Sequence, residues 1–293
     1  MHSQLSRLLD VQGGVVTSAQ ALRFLTRREL EAHLEYGALH RVWYGIYGRG
    51  EPTTALRLRG LDLAAGTKVA ACMGTAAAAY GFDTERTPDM HILNPIGRQL
   101  RSTEGLTVHR RTGAPLTAVA GRPLTTPAWT AVEVSRALSR PRALATLDAA
   151  LRSGTCKPEH LEDAARGQSG RRGIAAVRDL LGLASPLAES PMESETRLVM
   201  IDAGLPPPVL QYEVVDLQGR TWRLDFAWPG IRVGAEYDGV DWHSGPEAFL
   251  RDRRRLSALQ QLGWLVVPIV AEDVRHRPHE LLGRLSTYLR RAA

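Results

Sequence analysis

Three acidic residues in the last third of the 293-residue chain have a spacing suited to binding a metal ion: Asp225, Glu236 and Asp238. In an extended strand alternate side chains share a face, so Glu236 and Asp238 should project to the same side. Carboxylates that converge on one surface repel one another unless a hard divalent cation lies between them. Such a cation orients and polarises a phosphate and lowers the pKa of a bound water, as phosphodiester hydrolysis requires. The pattern therefore predicts a Mg²⁺ or Mn²⁺ site with Asp225 and Glu236 as ligands.

Neighbouring residues are further candidates for this site. His243 is suited to act as a general acid or base, while Asp238 would lie beside the metal or position water. Glu193, on the preceding helix, is another acidic candidate, although its place three residues after Ser190 also fits a capping box. Purely structural explanations exist for the others too, since Asp238-Gly239 fits a turn and His243 precedes a helix cap. The spacing thus makes Asp225, Glu236 and Asp238 the predicted catalytic residues, and His243 and Glu193 join them through the nuclease resemblance of this part of the chain.

The elements that must position these residues follow from the spacing of caps, prolines and apolar runs. A helix is predicted from residue 191 to 203, and three strands follow it before a second helix, a fourth strand and a last helix. The break at Pro229-Gly230 lets the second and third strands pair, which brings Asp225 near Glu236. The predicted bounds are 209–215, 220–228 and 231–238 for the three strands, then 246–262, 264–270 and 278–291 for the helix, strand and helix.

The first fifty residues have the pattern of a small helical unit with a hairpin. Thr17 and Gln20 fit one capping box and Thr26 and Glu29 a second, which predicts two helices. The helices cover residues 18–24 and 27–36, and residues 38–48 then read as strand, glycine, strand. This order is that of a winged helix-turn-helix, and a packing or protein-contact module is the alternative. In the winged arrangement the residues near DNA phosphates would be Arg27, Arg28 and Arg41.

The middle of the chain gives fewer functional signals. Residues 90–93 and 106–109 read as strands, and His91 and His109 within them are predicted to be structural. Helices are predicted over residues 127–138, 141–152, 158–166 and 172–182. The segment has no phosphate-binding loop and no metal-ligand spacing in its sequence. The fold class expected is α/β, of the α+β multidomain kind, with domains at 1–50, 51–185 and 186–293.

Composition and charge narrow the class of protein further. The net charge is +6, but 35 of the 37 basic residues are Arg, a ratio that a GC-rich genome produces by itself. Residues 186–293 carry 13 basic and 15 acidic residues, so the carboxylates concentrate in a locally acidic part of a basic chain. The two cysteines lack a CxxC spacing, which favours a reducing compartment. No apolar run approaches a membrane span and no signal peptide is recognisable, so a cytoplasmic protein is expected.

Residues 1–150 resemble actinobacterial proteins that have an AbiEi-type antitoxin N-terminal region. The segments that carry this resemblance are 14–17, 20–22, 37–42, 45–47 and the Ala-rich stretch 74–81. The resemblance implies a winged helix-turn-helix followed by a small α/β domain, together with DNA binding and autoregulation.

Residues 186–293 resemble the PD-(D/E)XK nuclease superfamily, and within it the very-short-patch-repair (Vsr) endonucleases. The matching segments are 224–228, 236–243, 251–255 and 263–264. The resemblance implies that Asp225 is the metal-binding Asp, that Glu236 holds the (D/E) position and that His243 is a catalytic histidine. Trp242 falls where that family places an aromatic wedge. The sequence departs from the pattern at Asp238, which stands in place of the signature Lys, and at Tyr237, which replaces a Thr.

Two functions follow from these observations. The first is a Mg²⁺-dependent DNA endonuclease or nickase that a winged helix tethers to duplex DNA. The second is a transcriptional regulator or type IV antitoxin whose nuclease-fold domain has lost turnover, and the missing Lys supports it. RNA is a weaker candidate substrate, and a toxin or a repair protein is a further expected partner. The predicted DNA contacts are Arg27, Arg28, Arg41, Trp242, Arg251 and Arg255, the last two because helix spacing puts them on one side.

Overall fold

The computed structural model describes residues 2–85, 87–110, 113–239 and 246–291. Helices and several sheets alternate along the chain, in agreement with the predicted mixed α/β class. By their contacts the described residues fall into two compact units, which lie within residues 1–79 and 85–130 and within residues 80–84 and 131–293.

The first unit begins with short helices and a small antiparallel sheet in the strand order β1-β3-β2. Both predicted capping boxes are formed, since the Thr17 and Thr26 hydroxyls accept from the backbone N–H groups of Gln20 and Glu29, whose side chains bond back. The first of the two helices is shorter than predicted, and a helix and a strand precede it. The elements are α1 (Ser3–Val11), β1 (Val15–Thr17), α2 (Ser18–Ala21), α3 (Arg27–Glu35), β2 (His40–Trp43) and β3 (Ile46–Gly48).

The remainder of the first unit is a mixed sheet in the order β6-β5-β4-β8-β7. Strands β5 and β6 are parallel, as are β4 and β8, while β4 with β5 and β7 with β8 are antiparallel. Met90, Ile92 and Leu106 pack against Leu58 and Leu61 of a helix that precedes the sheet. The elements are α4 (Thr54–Ala65), β4 (Ala70–Ala71), α5 (Met73–Tyr80), β5 (Met90–Leu93), β6 (Leu106–His109), β7 (Leu116–Val119) and β8 (Arg122–Thr125).

Helices then lead into the second unit, and the four helices predicted for this stretch are confirmed. Residues 143–151 of the second of them are buried throughout, and the helix packs against the first helix of the C-terminal region. The elements are α6 (Pro127–Ser135), α7 (Arg140–Arg152), α8 (Pro158–Gly167) and α9 (Ile174–Leu181).

The C-terminal region has the predicted order of helices and strands, with one additional short helix near its end. Its sheet has the order β12-β11-β10-β9, antiparallel except for the parallel pair β11 and β12. Phe226, Val233 and Val267 form its core with Leu281 and Leu285 of the last helix. The elements are α10 (Pro191–Asp202), β9 (Val209–Val215), β10 (Thr221–Trp228), β11 (Val233–Tyr237), α11 (Pro246–Gln261), β12 (Leu265–Ile269), α12 (Ala271–Arg275) and α13 (Pro278–Arg291).

Candidate functional site

Asp225 lies at the centre of the candidate site, in a row of polar side chains that crosses the C-terminal sheet. Because Phe226 pairs with Ala235, the next position in register sets Asp225 beside Glu236. The backbone N–H of Tyr237 donates to Asp225 Oδ2 at 2.9 Å, which fixes the carboxylate at the junction of β10 and β11. The structure therefore places Asp225 and Glu236 next to each other, where the turn between the two strands was expected to bring them.

Strand β10 is irregular at this point. Leu224 packs with Leu259 of α11, whereas Phe226, two residues on, belongs to the core on α13, so the regular alternation of faces is interrupted at Asp225. Opposite Asp225 on the edge strand β9, Gln211 has a φ of 50°, a conformation that non-glycine residues rarely adopt. The backbone of β9 and β10 thus departs from regular strand geometry at the positions of Gln211 and Asp225.

Glu193 reaches the same site from the first turn of α10. Its backbone N–H donates to the Ser190 hydroxyl at 3.2 Å, as a helix cap requires. Its carboxylate, however, does not accept from the Ser190 backbone N–H, so the predicted capping box is only half formed. Instead Glu193 Oε2 accepts from Glu189 N–H at 2.8 Å and from Gln211 Nε2 at 2.9 Å. The second of these donors lies on β9, so this contact joins the Glu193 side chain to the sheet.

The acidic side chains influence one another's ionisation. Burial raises the pKa of Glu193, and the negative charge of Asp225 raises it further. Burial also raises the pKa of Asp225, against the hydrogen bond from Tyr237 and the positive charges of Arg255 and Arg223. The pKa of Asp238 is raised by burial first and then by the charges of Asp252 and Asp225. The predicted carboxylates are therefore grouped in one partly desolvated region.

Arg255 is one of two arginines that bring positive charge to this region, the other being Arg223. The guanidinium of Arg255 binds both carboxylate oxygens of Glu236, with Nη1 to Oε2 at 2.7 Å, and it also donates to the Arg223 carbonyl at 2.9 Å. The side chains of Arg255 and Glu236 are 22% and 11% exposed, so the ion pair is largely removed from water. Burial lowers the pKa of Arg255, while the charge of Asp225 acts in the opposite direction.

This pair alters two of the predicted roles. Arg255 was expected to contact DNA beside Arg251, but it points inward to Glu236 while Arg251 stays exposed. A buried carboxylate needs a cation close by, and Arg255 is the one that α11 brings within reach. Trp242 and His243, predicted as a wedge and a catalytic acid or base, lie outside the described residues.

The fit of the site to a divalent cation follows from the same contacts. Both oxygens of Glu236, one of the two predicted metal ligands, are occupied by the guanidinium of Arg255. Within residues 2–85, 87–110, 113–239 and 246–291, no group of three or more His, Cys, Asp and Glu side chains is arranged to hold a metal ion. As arranged, these donors do not fit a Mg²⁺ or Mn²⁺ site.

The first unit carries a second candidate surface. Arg27 and Arg28 are exposed on the first turn of α3, and Arg41 is exposed on β2. Tyr44, at the turn between β2 and β3, is 96% exposed. Sequence reasoning passed over this tyrosine, although an aromatic residue before Gly45 in a strand–turn–strand pattern was a usable signal. Exposed arginines and a projecting tyrosine ring therefore lie on α3 and the β2–β3 hairpin, and α3 also exposes three acidic side chains, Glu29, Glu31 and Glu35.

Comparison with known proteins relates the chain to antitoxins and to two mycobacterial proteins. The family model of the AbiEi antitoxin C-terminal domain matches residues 69–183. The predicted relationship to AbiEi antitoxins is thus supported, but by their C-terminal domain rather than by an N-terminal region over residues 1–150. Two Mycobacterium tuberculosis proteins, Rv2248 of strain H37Rv and MT2308 of strain CDC 1551, are each 54% identical over 268 residues. The alignment covers 92% of this chain and 98% of each relative, and both relatives are described as uncharacterized.

One further finding concerns membranes. Among the described residues, the helices are all too short or too polar to cross a lipid bilayer.

Proposed function

This chain belongs to the same protein family as Rv2248 and MT2308 of Mycobacterium tuberculosis, and we propose that it is a DNA-binding regulator of the antitoxin type. In this proposal its C-terminal domain has the PD-(D/E)XK order of elements but does not cleave DNA. The match of residues 69–183 to the AbiEi antitoxin domain supports the regulatory role, with a toxin as the partner in the same system.

The observation that carries the proposal is the ion pair between Arg255 and Glu236. A nuclease of this fold needs its second carboxylate free for a metal ion, whereas here a buried guanidinium binds both of its oxygens. Withdrawal of the guanidinium without a replacement cation would leave the charge of Glu236 uncompensated at a cost of about 3–5 kcal/mol, so a metal ion would have to compete with Arg255 for the carboxylate. Asp238 also stands where the signature Lys would be, and it adds negative charge instead of a cation. Both features oppose metal-dependent turnover.

DNA binding is proposed for the first unit. Helix α3 would act as the recognition helix and the β2–β3 hairpin as the wing of a winged helix-turn-helix. Arg27, Arg28 and Arg41 are exposed and would bind phosphates, which fixes the protein on the duplex without specifying sequence. Arg49, by contrast, is held by Asp10 at 2.9 Å and is less available.

Duplex binding by the full-length protein tests this assignment. Fluorescence anisotropy with the DNA upstream of its own gene should show binding that weakens with salt. The Arg27→Ala/Arg28→Ala variant should bind more weakly, with a salt slope reduced by about one for each phosphate that the variant no longer neutralises. Arg7→Ala, which removes another exposed arginine of the first unit, is the matched control and should bind as the wild type. Equal binding by the double variant and the wild type would place DNA recognition elsewhere.

A Mg²⁺-dependent endonuclease is the second candidate, and one observation favours it. Glu193, Asp225 and Asp238 lie close enough for the charge of Asp225 to raise the pKa of both of its neighbours. Groups of carboxylates with raised pKa values are frequent at functional sites. In this case Arg255 would have to leave Glu236 before a metal could bind.

A further inference from the structure

A cavity of about 700 Å³ lies in the first unit, against the sheet that contains β4, β5 and β8. Its volume is within the range of small-molecule binding sites. It opens beside the carboxyl ends of the parallel strands β5 and β6, where the chain leaves the sheet at Asn94 and Arg110. Carboxyl ends of parallel strands are a frequent location of ligand sites in α/β proteins.

The walls of the cavity combine aliphatic and cationic side chains. Leu93 and Pro123 supply apolar surface, and Ile96, which also borders the cavity, is fully exposed to solvent. The described lining includes no Asp or Glu. Neither Arg98 nor Arg110 forms a salt bridge with a carboxylate among the described residues. The cationic members of the lining are Lys68, Arg98 and Arg110.

The loop that carries Arg98 is held in place by its own hydrogen bonds. Asn94 Nδ2 donates to the Arg98 carbonyl at 2.7 Å, and Asn94 Oδ1 accepts from Leu100 N–H at 3.0 Å. Gly97 has a φ of 73°, which lets the loop turn tightly between these bonds. On the other side of the cavity, Lys68 Nζ donates to the Gly121 carbonyl at 2.7 Å. The backbone of the loop that carries Arg98 and the ammonium group of Lys68 are therefore positioned before any ligand arrives, which lowers the cost of binding.

We infer that this cavity binds a nucleoside phosphate between its three cations and its aliphatic wall. Several cations without a neighbouring carboxylate suit an anion with more than one charge better than a single carboxylate group. The aliphatic wall suits the base and sugar, and no charged group on it opposes them. The inference goes beyond DNA binding and does not depend on it, because the cavity residues are distinct from Arg27, Arg28 and Arg41.

Isothermal titration calorimetry of the full-length protein tests the inference, with ATP, AMP, inorganic pyrophosphate and palmitate as separate ligands. ATP or AMP should bind, and Arg98→Ala or Arg110→Ala should weaken that binding by roughly tenfold, since each removes a charge-assisted contact. Ile96→Asp should weaken nucleotide binding as well. Because the Ile96 side chain is fully exposed, this substitution should leave the folding of the protein unchanged. Arg7→Ala and Arg27→Ala/Arg28→Ala should bind the nucleotide as the wild type, which separates this site from the DNA surface.

Several results would overturn the inference. One is the absence of heat with both nucleotides, and another is nucleotide binding that Arg98→Ala and Arg110→Ala leave unchanged. Pyrophosphate binding as tightly as ATP would reduce the cavity to a simple anion site. Binding of palmitate without binding of nucleotides would assign the aliphatic wall to a fatty acid.

Discussion

At the scale of single residues, the account depends on the contact between Arg255 and Glu236. Arg255→Ala leaves the Glu236 carboxylate, 11% exposed, without its cation, and we expect a loss of roughly 3 kcal/mol in the free energy of unfolding. Urea unfolding measures this loss. Arg251→Ala, one helical turn earlier and exposed, is the control and should change the stability by less than about 0.5 kcal/mol. Equal stability of the two variants would mean that the buried ion pair is not formed in solution.

Sequence reasoning reached part of this residue-scale arrangement. Alternation in strands and the turn at Pro229-Gly230 predicted that Asp225 and Glu236 lie side by side. Helix periodicity placed Arg251 and Arg255 on one side, but it carries no information on which of them reaches a buried carboxylate. Glu193 was predicted both as a capping residue and as a member of the acidic site, but its hydrogen bond from Gln211 was not predictable, because Gln211 lies on a strand whose unusual φ no local pattern reveals.

At the scale of elements, the contact of α7 with α10 is held by ion pairs of two kinds. Asp148 and Arg197 form a fully buried pair at 2.7 Å, while Arg140 and Asp202 form a pair at 2.9 Å that is nearly half exposed. Asp148→Ala should lower the free energy of unfolding by about 3–5 kcal/mol, since the buried Arg197 would keep the Leu183 carbonyl as an acceptor but lose its counter-charge. Arg140→Ala, between the same helices, should cost less than about 1 kcal/mol. Thermal or urea unfolding that ranks the two variants equally would contradict this difference.

The contact between α7 and α10 should also make the stability of the protein depend on pH, because Glu195 of α10 pairs with Arg142 of α7. Burial alone would raise the pKa of Glu195, but hydrogen bonds from Arg275 and Arg142 outweigh it and hold the pKa below its ordinary value. A lowered pKa contributes stability above the unfolded-state value of about 4.3, and this is lost as the pH falls through the folded-state pKa. Wild-type stability should therefore fall more steeply than that of Glu195→Gln between pH 6 and pH 3.5, as measured by urea unfolding. Parallel curves for the two proteins would contradict the assignment.

Several elements were predictable from local signals, and others were not. Strand β9 begins and ends where the sequence predicted, because Pro206 to Pro208 and the Asp216 turn delimit it. Helix α4 was missed because Leu56, Arg57, Leu58 and Arg59 alternate with the period of a strand. The helix forms because tertiary packing of Leu58 and Leu61 on the sheet overrides that pattern.

At the scale of the whole molecule, the sequence pattern predicted one middle domain over residues 51–185. In the structure, helix α7 of that range packs against α10 and belongs with it to the second compact unit. The segment that matches the AbiEi antitoxin domain, residues 69–183, contributes to both compact units. The division into compact units depends on contacts between residues far apart in sequence, for example the ion pair of Asp148 with Arg197. A short window of sequence does not contain both members of such a pair. The proposal that this protein binds DNA without cutting it depends on the exposed arginines of α3 and β2 and on the ion pair between Arg255 and Glu236.

Incubation of the full-length protein with supercoiled plasmid and Mg²⁺ or Mn²⁺ tests this central proposal most directly, with Asp225→Ala and an EDTA sample alongside. The proposal predicts that the wild type retards the plasmid on a gel, and that the plasmid remains supercoiled after the protein is removed. The Asp225→Ala sample should be indistinguishable. Metal-dependent nicking by the wild type, abolished by Asp225→Ala and by EDTA, would contradict the proposal and establish the nuclease.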